Sequence, residues 1–219
     1  MGTDILQVTN AGVSGPKAPP EPPDAPSLRD LIWQSEDFPS WNSTFTTNVT
    51  AVYFTAVAFL PLLQAAHTVS SYPSRAASVV VISSMSGLMR NSQGHFSYNA
   101  AKGATVHLAK LMSSEFEKTG IRVNSIAPGY FPSEMTAKES GGDNKSDLPA
   151  EKVQEKGHVP AERPGTDEEM AQAVLFLGKN AYVNGQVCKS SRSDHVIWHV
   201  EGEANVSFSR RFWSWTEVL

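Results

Sequence analysis

Residues 78–102 read SVVVISSMSGLMRNSQGHFSYNAAK. The opening run, Ser78 to Ile82, is β-branched and apolar without alternation, the pattern of a strand covered on both faces. It ends in Ser83-Ser84-Met85-Ser86-Gly87, a cluster of turn-forming residues. After a loop, Tyr98 to Lys118 reads as a long helix. Its Ala101, Val106, Leu108, Ala109, Leu111, Met112 and Phe116 recur at helical spacings, and Gly120 stops it. A buried strand that passes through a serine turn into a long helix predicts an α/β fold.

Working outward, the same alternation continues. Ile121 to Ile126 (IRVNSI) is the next strand, closed by Pro128-Gly129. Thr166-Asp-Glu-Glu169 is a capping box that opens a helix to about Lys179. Gly185-Gln186-Val187-Cys188 begins a strand that breaks at Lys189-Ser190-Ser191. Upstream, Thr3 to Val8 makes a short strand and Asn10-Ala11-Gly12 turns the chain. Residues 13–26 (VSGPKAPPEPPDAP) are a Pro-rich surface connection. Ser27 caps a short helix through Gln34, and Phe45 to Ala66 is a long apolar helix. Within it AVYFTAVAFLPLLQAA (51–66) is shorter than the ~20 residues of a membrane span and contains Pro61, so the expectation is a core helix buried on several sides. Alternating strands and helices give a parallel sheet with helices on both faces. Residues 132–165, polar and rich in Gly, Pro, Lys and Glu, read as a mobile loop or lid over a substrate. The texture changes after Cys188. Residues 1–188 are therefore taken as the domain and 189–219 as a divergent tail, with one strand expected at Val196 to Val200.

Composition narrows the function classes. The chain has 219 residues, 40% of them hydrophobic, enough for one packed domain. A net charge of -4 excludes a global basic footprint for nucleic acid. One cysteine, Cys188, excludes an intrachain disulfide and a Cys-based zinc site. The six histidines lack metal-ligand spacing, so no metal is expected. The start MGTDILQVTN is not a signal peptide, and the expected location is cytoplasmic, without a membrane partner.

The chemistry concentrates in Tyr98 and Lys102, one helical turn apart on one face. A free phenol titrates near ~10, too high for easy acid–base work at neutral pH. A neighbouring ammonium favours phenolate, so Lys102 is expected to lower the Tyr98 pKa and make it a general acid toward a developing alkoxide. Ser84 lies 14 positions earlier, at the carboxyl end of a strand, where ligands of open α/β sheets bind. Its hydroxyl is placed to hold a carbonyl beside the phenol.

In these motifs the sequence resembles the short-chain dehydrogenase/reductase family. The matching segments are Asn10-Ala11-Gly12, Asn48 within FTTNVT, ISSMSG (82–87), YNAAK (98–102), IRVNSIAPGYFPSEMT (121–136) and RPGTDEEMAQAVLFLGKNAYVNGQV (163–187). The resemblance covers about residues 4 to 187 in family order. It implies a partial doubly wound parallel sheet (Rossmann-like) lacking the first three strands. It implies Tyr98 as proton donor, Lys102 as its modulator and a holder of the nicotinamide ribose, Ser84 as orienter of the carbonyl, and Asn48 as anchor of a water. Cofactor contacts would come from Asn10, Ala11, Gly12, Tyr98, Lys102, Pro128, Gly129, Phe131 and Ser133. The implied cofactor is NADP, or NAD, and the implied substrate a small-molecule ketone or secondary alcohol. Helices 45–66 and 98–118 resemble those through which the family forms homo-oligomers. No G-x-x-x-G-x-G occurs in the 219 residues. The alternative expectation is therefore a non-catalytic, truncated remnant that pairs with an intact paralogue.

Overall fold

The computed structural model describes residues 5–69, 77–137, 146, 148–154 and 161–190. Four strands form one parallel sheet in sequence order: β1 (Ile5–Thr9), β2 (Ala77–Ile82), β3 (Arg122–Pro128) and β4 (Val187–Ser190). Val8 lies opposite Val80, Val80 opposite Asn124, and Ser125 opposite Val187. Parallel neighbours need a crossover, and helices supply it. These are α1 (Ala25–Ser35), α2 (Phe38–Phe45), α3 (Ala51–Val69), α4 (Phe96–Glu115), the short α5 (Glu134–Ala137) and α6 (Ala150–Gln154), and α7 (Asp167–Lys179).

The two-residue period of β2 divides the core. Val79 and Val81 face α3 and α4, where Ala56, Leu63, Ala109, Met112 and Val123 join them. Val80 faces α7 and packs with Ile126 and Leu177. Both faces of β2 are covered, which is why its sequence reads apolar throughout. Arg122 ties the second layer to the sheet. Its buried guanidinium donates to Leu177 O and Gly178 O at 2.8 Å and to Val183 O at 3.0 Å, satisfying carbonyls at the end of α7.

Several expectations need correction. Asp24, not Ser27, caps α1: its side chain accepts from Ser27 N at 2.9 Å, and Pro26 occupies the first turn, where no donor is needed. Asp37 caps α2 in the same way through Ser40 N at 2.7 Å. The long helical stretch therefore starts at Phe38 rather than Phe45. A single π-helical turn, Thr46–Thr50, joins α2 to α3 and buries Asn48. The apolar helix is not buried on several sides. Only 22% of its most apolar window is covered, although Phe38–Ala66 is long and apolar enough to cross a membrane by length and composition. Val52, Ala56 and Leu63 pack against the sheet, while Tyr53, Phe54, Phe59 and Leu62 stand exposed. One sheet covers one helix face, and the helix continues through Pro61. Finally, β4 does not break at Lys189 but runs on to Ser190, paired with Pro128. Most of the 132–165 loop beyond α5 and α6, the strand expected at Val196 to Val200, and the rest of the tail from 191 lie outside the described residues.

Candidate active site

The site forms where β2 leaves the sheet. Ser83 is buried, and its hydroxyl donates to Ile126 O at 2.9 Å while accepting from Ser125 Oγ at 2.8 Å. These bonds fix the exit of the strand, so Ser83 has a structural task. Ser84, one residue on, points the other way. Its hydroxyl caps the short 3-10 turn Met85–Gly87 by accepting from Ser86 N at 3.1 Å, and it lines the same cleft as the Tyr98 phenol, near enough to favour the phenolate.

Tyr98 lies in the first turn of α4 and Lys102 one turn further. Lys102 is only 4% exposed, and its ammonium donates to Ile82 O at 3.0 Å. The nitrogen stands 5.8 Å from the centre of the Tyr98 ring. The direction of the phenol shift is opposite to the sequence expectation. Burial pushes the Tyr98 phenol above its ordinary value, and the nearby Ser84 hydroxyl offsets only part of that. An ammonium engaged by a backbone carbonyl, beside the ring rather than at the hydroxyl, does not outweigh desolvation. The phenol therefore stays protonated at neutral pH, as a proton donor must.

Lys102 itself is pushed down to about 8 by burial. This has a measurable consequence. Below pH 8 the folded and unfolded chains both carry the proton, and folding bears the full cost of a buried charge. Between pH 8 and the ordinary value of 10.5 the folded chain sheds its proton first, so stability rises as that cost disappears. Lys102→Met has nothing to ionise there. After allowance for the lost bond to Ile82 O, it is expected to be more stable than wild type at pH 7 by about 2 kcal/mol, with the gap closing by pH ~10.5. Urea unfolding at the two pH values measures this. A variant less stable than wild type at pH 7 refutes the direction.

Asn48 is fully buried in the π-helical turn. Its side chain accepts from Val13 N at 3.1 Å and donates to Val13 O at 2.8 Å, and its backbone carbonyl accepts from Thr105 Oγ1 at 2.7 Å. It thereby clamps the Asn10–Val13 turn after β1 onto α4. Gly12 lies close to both groups: a Cβ there would stand 2.9 Å from Asn48 Oδ1 and 3.5 Å from Lys102 Nζ.

Ser84 and Tyr98 open into a cleft of about 580 Å³ at the carboxyl ends of β2, β3 and β4. Pro128, Gly129 and Phe131 line it. Ser133 does not: it is exposed and caps α5, donating from its N–H to Thr136 Oγ1 at 2.9 Å, and Thr136 lines the cleft instead. The loops add walls that sequence reasoning missed, among them Met89, Gln93, Tyr130, Met135 and the Arg163–Glu169 pair. That pair is bidentate, at 2.9 and 2.7 Å, and holds the Glu169 carboxyl down at about 2. Of the signals for these residues only the capping box was readable, and it marked Glu169 as a helix starter rather than a cleft wall.

The family model described as enoyl-(acyl carrier protein) reductase matches residues 33–190. The chain belongs to the short-chain dehydrogenase/reductase family. Among curated relatives, the short-chain dehydrogenase/reductase SAT3 of Stachybotrys chartarum is 34% identical over 174 residues, 73% of this chain and 63% of the relative. The 3-oxoacyl-(acyl-carrier-protein) reductase FabG of Chlamydia muridarum is 34% identical over 189 residues, 85% and 63%. The chain thus spans somewhat under two thirds of these relatives. Among solved structures, the Pseudomonas aeruginosa RhlG/NADP active-site complex has a TM-score of 0.67 at 27% identity, covering 87% of this chain and 66% of that one. That likeness places the four parallel strands found here in the same α/β fold.

Proposed function

We propose that the chain is an NAD(P)-dependent oxidoreductase that interconverts a small-molecule ketone and a secondary alcohol, with Tyr98 as proton donor. The observation that carries this is the convergence of Ser84 and Tyr98 on one cleft, with the Lys102 ammonium buried one turn behind the phenol. Ser84 offers a hydroxyl to a substrate carbonyl oxygen and so sets that oxygen against the Tyr98 O–H. Tyr98 delivers its proton as negative charge grows on that oxygen. The Lys102 ammonium, 5.8 Å from the ring centre, offsets the negative charge left on the phenolate as the proton departs. Ser83 and Asn48 keep these groups in place through the strand exit and the Asn10–Gly12 turn.

The family's nicotinamide cofactor, when bound, supplies the hydride; the protein supplies placement and the proton. The residues present fit its nicotinamide–ribose end. Gly12 leaves no room for a side chain over Lys102, and Pro128, Gly129 and Phe131 border the same cleft as Tyr98. The solved relative with NADP favours NADP over NAD for this chain. The pyrophosphate end finds less: a glycine-rich turn opening a helix is the usual donor set, and none of the G-x-x-x-G-x-G form occurs in the 219 residues.

Isothermal titration of the purified chain tests this. NADPH is expected to bind more tightly than NADH, yet with a dissociation constant weaker than about 100 μM, because the pyrophosphate donors are absent from the sequence given. Low-micromolar binding overturns the weakening, and no binding at millimolar NADPH overturns the catalytic reading. The second reading, a non-catalytic partner of an intact paralogue, is favoured by the exposed Tyr53, Phe54, Phe59 and Leu62 on α3. It predicts that no substitution at Tyr98 alters any turnover.

A further inference from the structure

We propose that Gln93 and Tyr130 form a second recognition point in the cleft, which binds a neutral oxygen of the substrate remote from its reacting carbonyl. This deepens the oxidoreductase reading above and rests on it. Both residues line the cleft that holds Ser84 and Tyr98, and Gln93 Nε2 donates to Tyr130 Oη at 3.2 Å.

The backbone shows that the amide is presented deliberately. Gln93 has φ 52°, in the left-handed region that disfavours a side chain with a Cβ, and Gly94 beside it has φ 76°. The conformation is held from several directions. Asn91 Oδ1 accepts from Gln93 N at 2.8 Å, Asn99 Nδ2 donates to Asn91 O at 3.0 Å, and Ala18 N donates to Gly94 O at 2.7 Å. A Cβ on Gly94 would lie 3.2 Å from the Pro19 backbone, so the Pro-rich connection packs directly against this turn. A glycine would satisfy such a turn without strain. A glutamine there costs backbone energy and places an amide in the cleft.

Two other polar features of the cleft are engaged within its wall. Arg163 and Glu169 grip each other, and Thr136 Oγ1 donates to Phe131 O at 2.7 Å. Met85, Met89 and Met135 make an adaptable apolar wall. An amide and a phenol in such a wall supply both a donor and an acceptor without charge, which suits an ester, hydroxyl or second carbonyl rather than a carboxylate. The substrate class is therefore a flexible, largely apolar ketone or secondary alcohol that carries one further neutral oxygen.

The test uses ethyl acetoacetate and 2-heptanone, which share a chain length and differ by the ester oxygens. Their kcat/KM ratio is measured with NADPH in excess for wild type, Gln93→Gly and Tyr130→Phe. Intrinsic reactivity cancels when a variant's ratio is divided by that of wild type. Glycine suits φ 52°, so Gln93→Gly keeps the turn and should melt within a few degrees of wild type. Both variants are expected to lower the ratio at least about 10-fold, through a rise in KM for the ester that exceeds any change with 2-heptanone. Ratios unchanged in both variants overturn this proposal alone. A wild type that reduces neither ketone overturns it together with the oxidoreductase reading.

Discussion

Tyr98→Phe is expected to lower turnover by about 10³-fold while leaving the fold as it is. The substitution removes one oxygen and keeps the ring, so packing at the head of α4 is preserved. Ser84 is not orphaned by the change, because its hydroxyl still accepts from Ser86 N at 3.1 Å. Stability should therefore stay within about 1 kcal/mol of wild type. What disappears is the proton. Burial holds the phenol protonated, and Lys102 is turned toward Ile82 O, so neither Lys102 nor Ser84 replaces it as the donor at that position. Loss of NADPH absorbance during ketone reduction gives the rate, and the melting temperature gives the control. Equal rates for wild type and Tyr98→Phe at equal stability would sink the mechanism and leave the non-catalytic reading standing.

The parts of this site that could be read from the sequence are those fixed by local pattern. The unbroken apolar run of β2 states that the strand is covered twice, and Val79, Val80 and Val81 do face two different layers. The α7 cap was legible because both of its hydrogen bonds join residues three apart, Thr166 and Glu169, and both are present. What was not legible depends on distance in sequence or on how much of a surface the fold covers. Composition alone cannot say that α3 meets one sheet on one side, so its apolar residues suggested more burial than they have. The sign of the Tyr98 shift turns on whether Lys102 points at the hydroxyl or at the Ile82 carbonyl, twenty residues away, and helical spacing does not decide that. Gln93 gave no signal because its importance lies in a left-handed backbone set by Ala18 and Asn91. Arg163 is six residues from Glu169, a separation that no helical or strand period marks.

Gly87→Ala is expected to damage stability and catalysis together, because it acts where the serine turn touches the catalytic helix. A Cβ on Gly87 would lie 2.5 Å from the carbonyl carbon of Lys102, and 2.6 Å from Lys102 O and Gly103 N. All three are backbone atoms inside α4, so no side chain can swing aside to admit the methyl group. The turn and the helix must separate instead, by about 1 Å to reach ordinary contact, and overpacking of that kind costs about 2–3 kcal/mol. The two halves of the site ride on the two parts being separated. Ser84 belongs to the turn, and Tyr98 and Lys102 belong to the helix, so the spacing between the Ser84 and Tyr98 hydroxyls changes by the same displacement. Misplacement on that scale is expected to lower kcat/KM about 10²-fold. Gly103→Ala supplies the contrast. Its Cβ would meet only Gly87 O, at 3.3 Å, which small shifts relieve, and alanine favours the helix by about 1 kcal/mol over glycine. Urea unfolding and steady-state rates on the two variants separate the cases. If the Gly87 variant matched wild type in both, the close approach of turn and helix would have no part in holding the serine against the tyrosine.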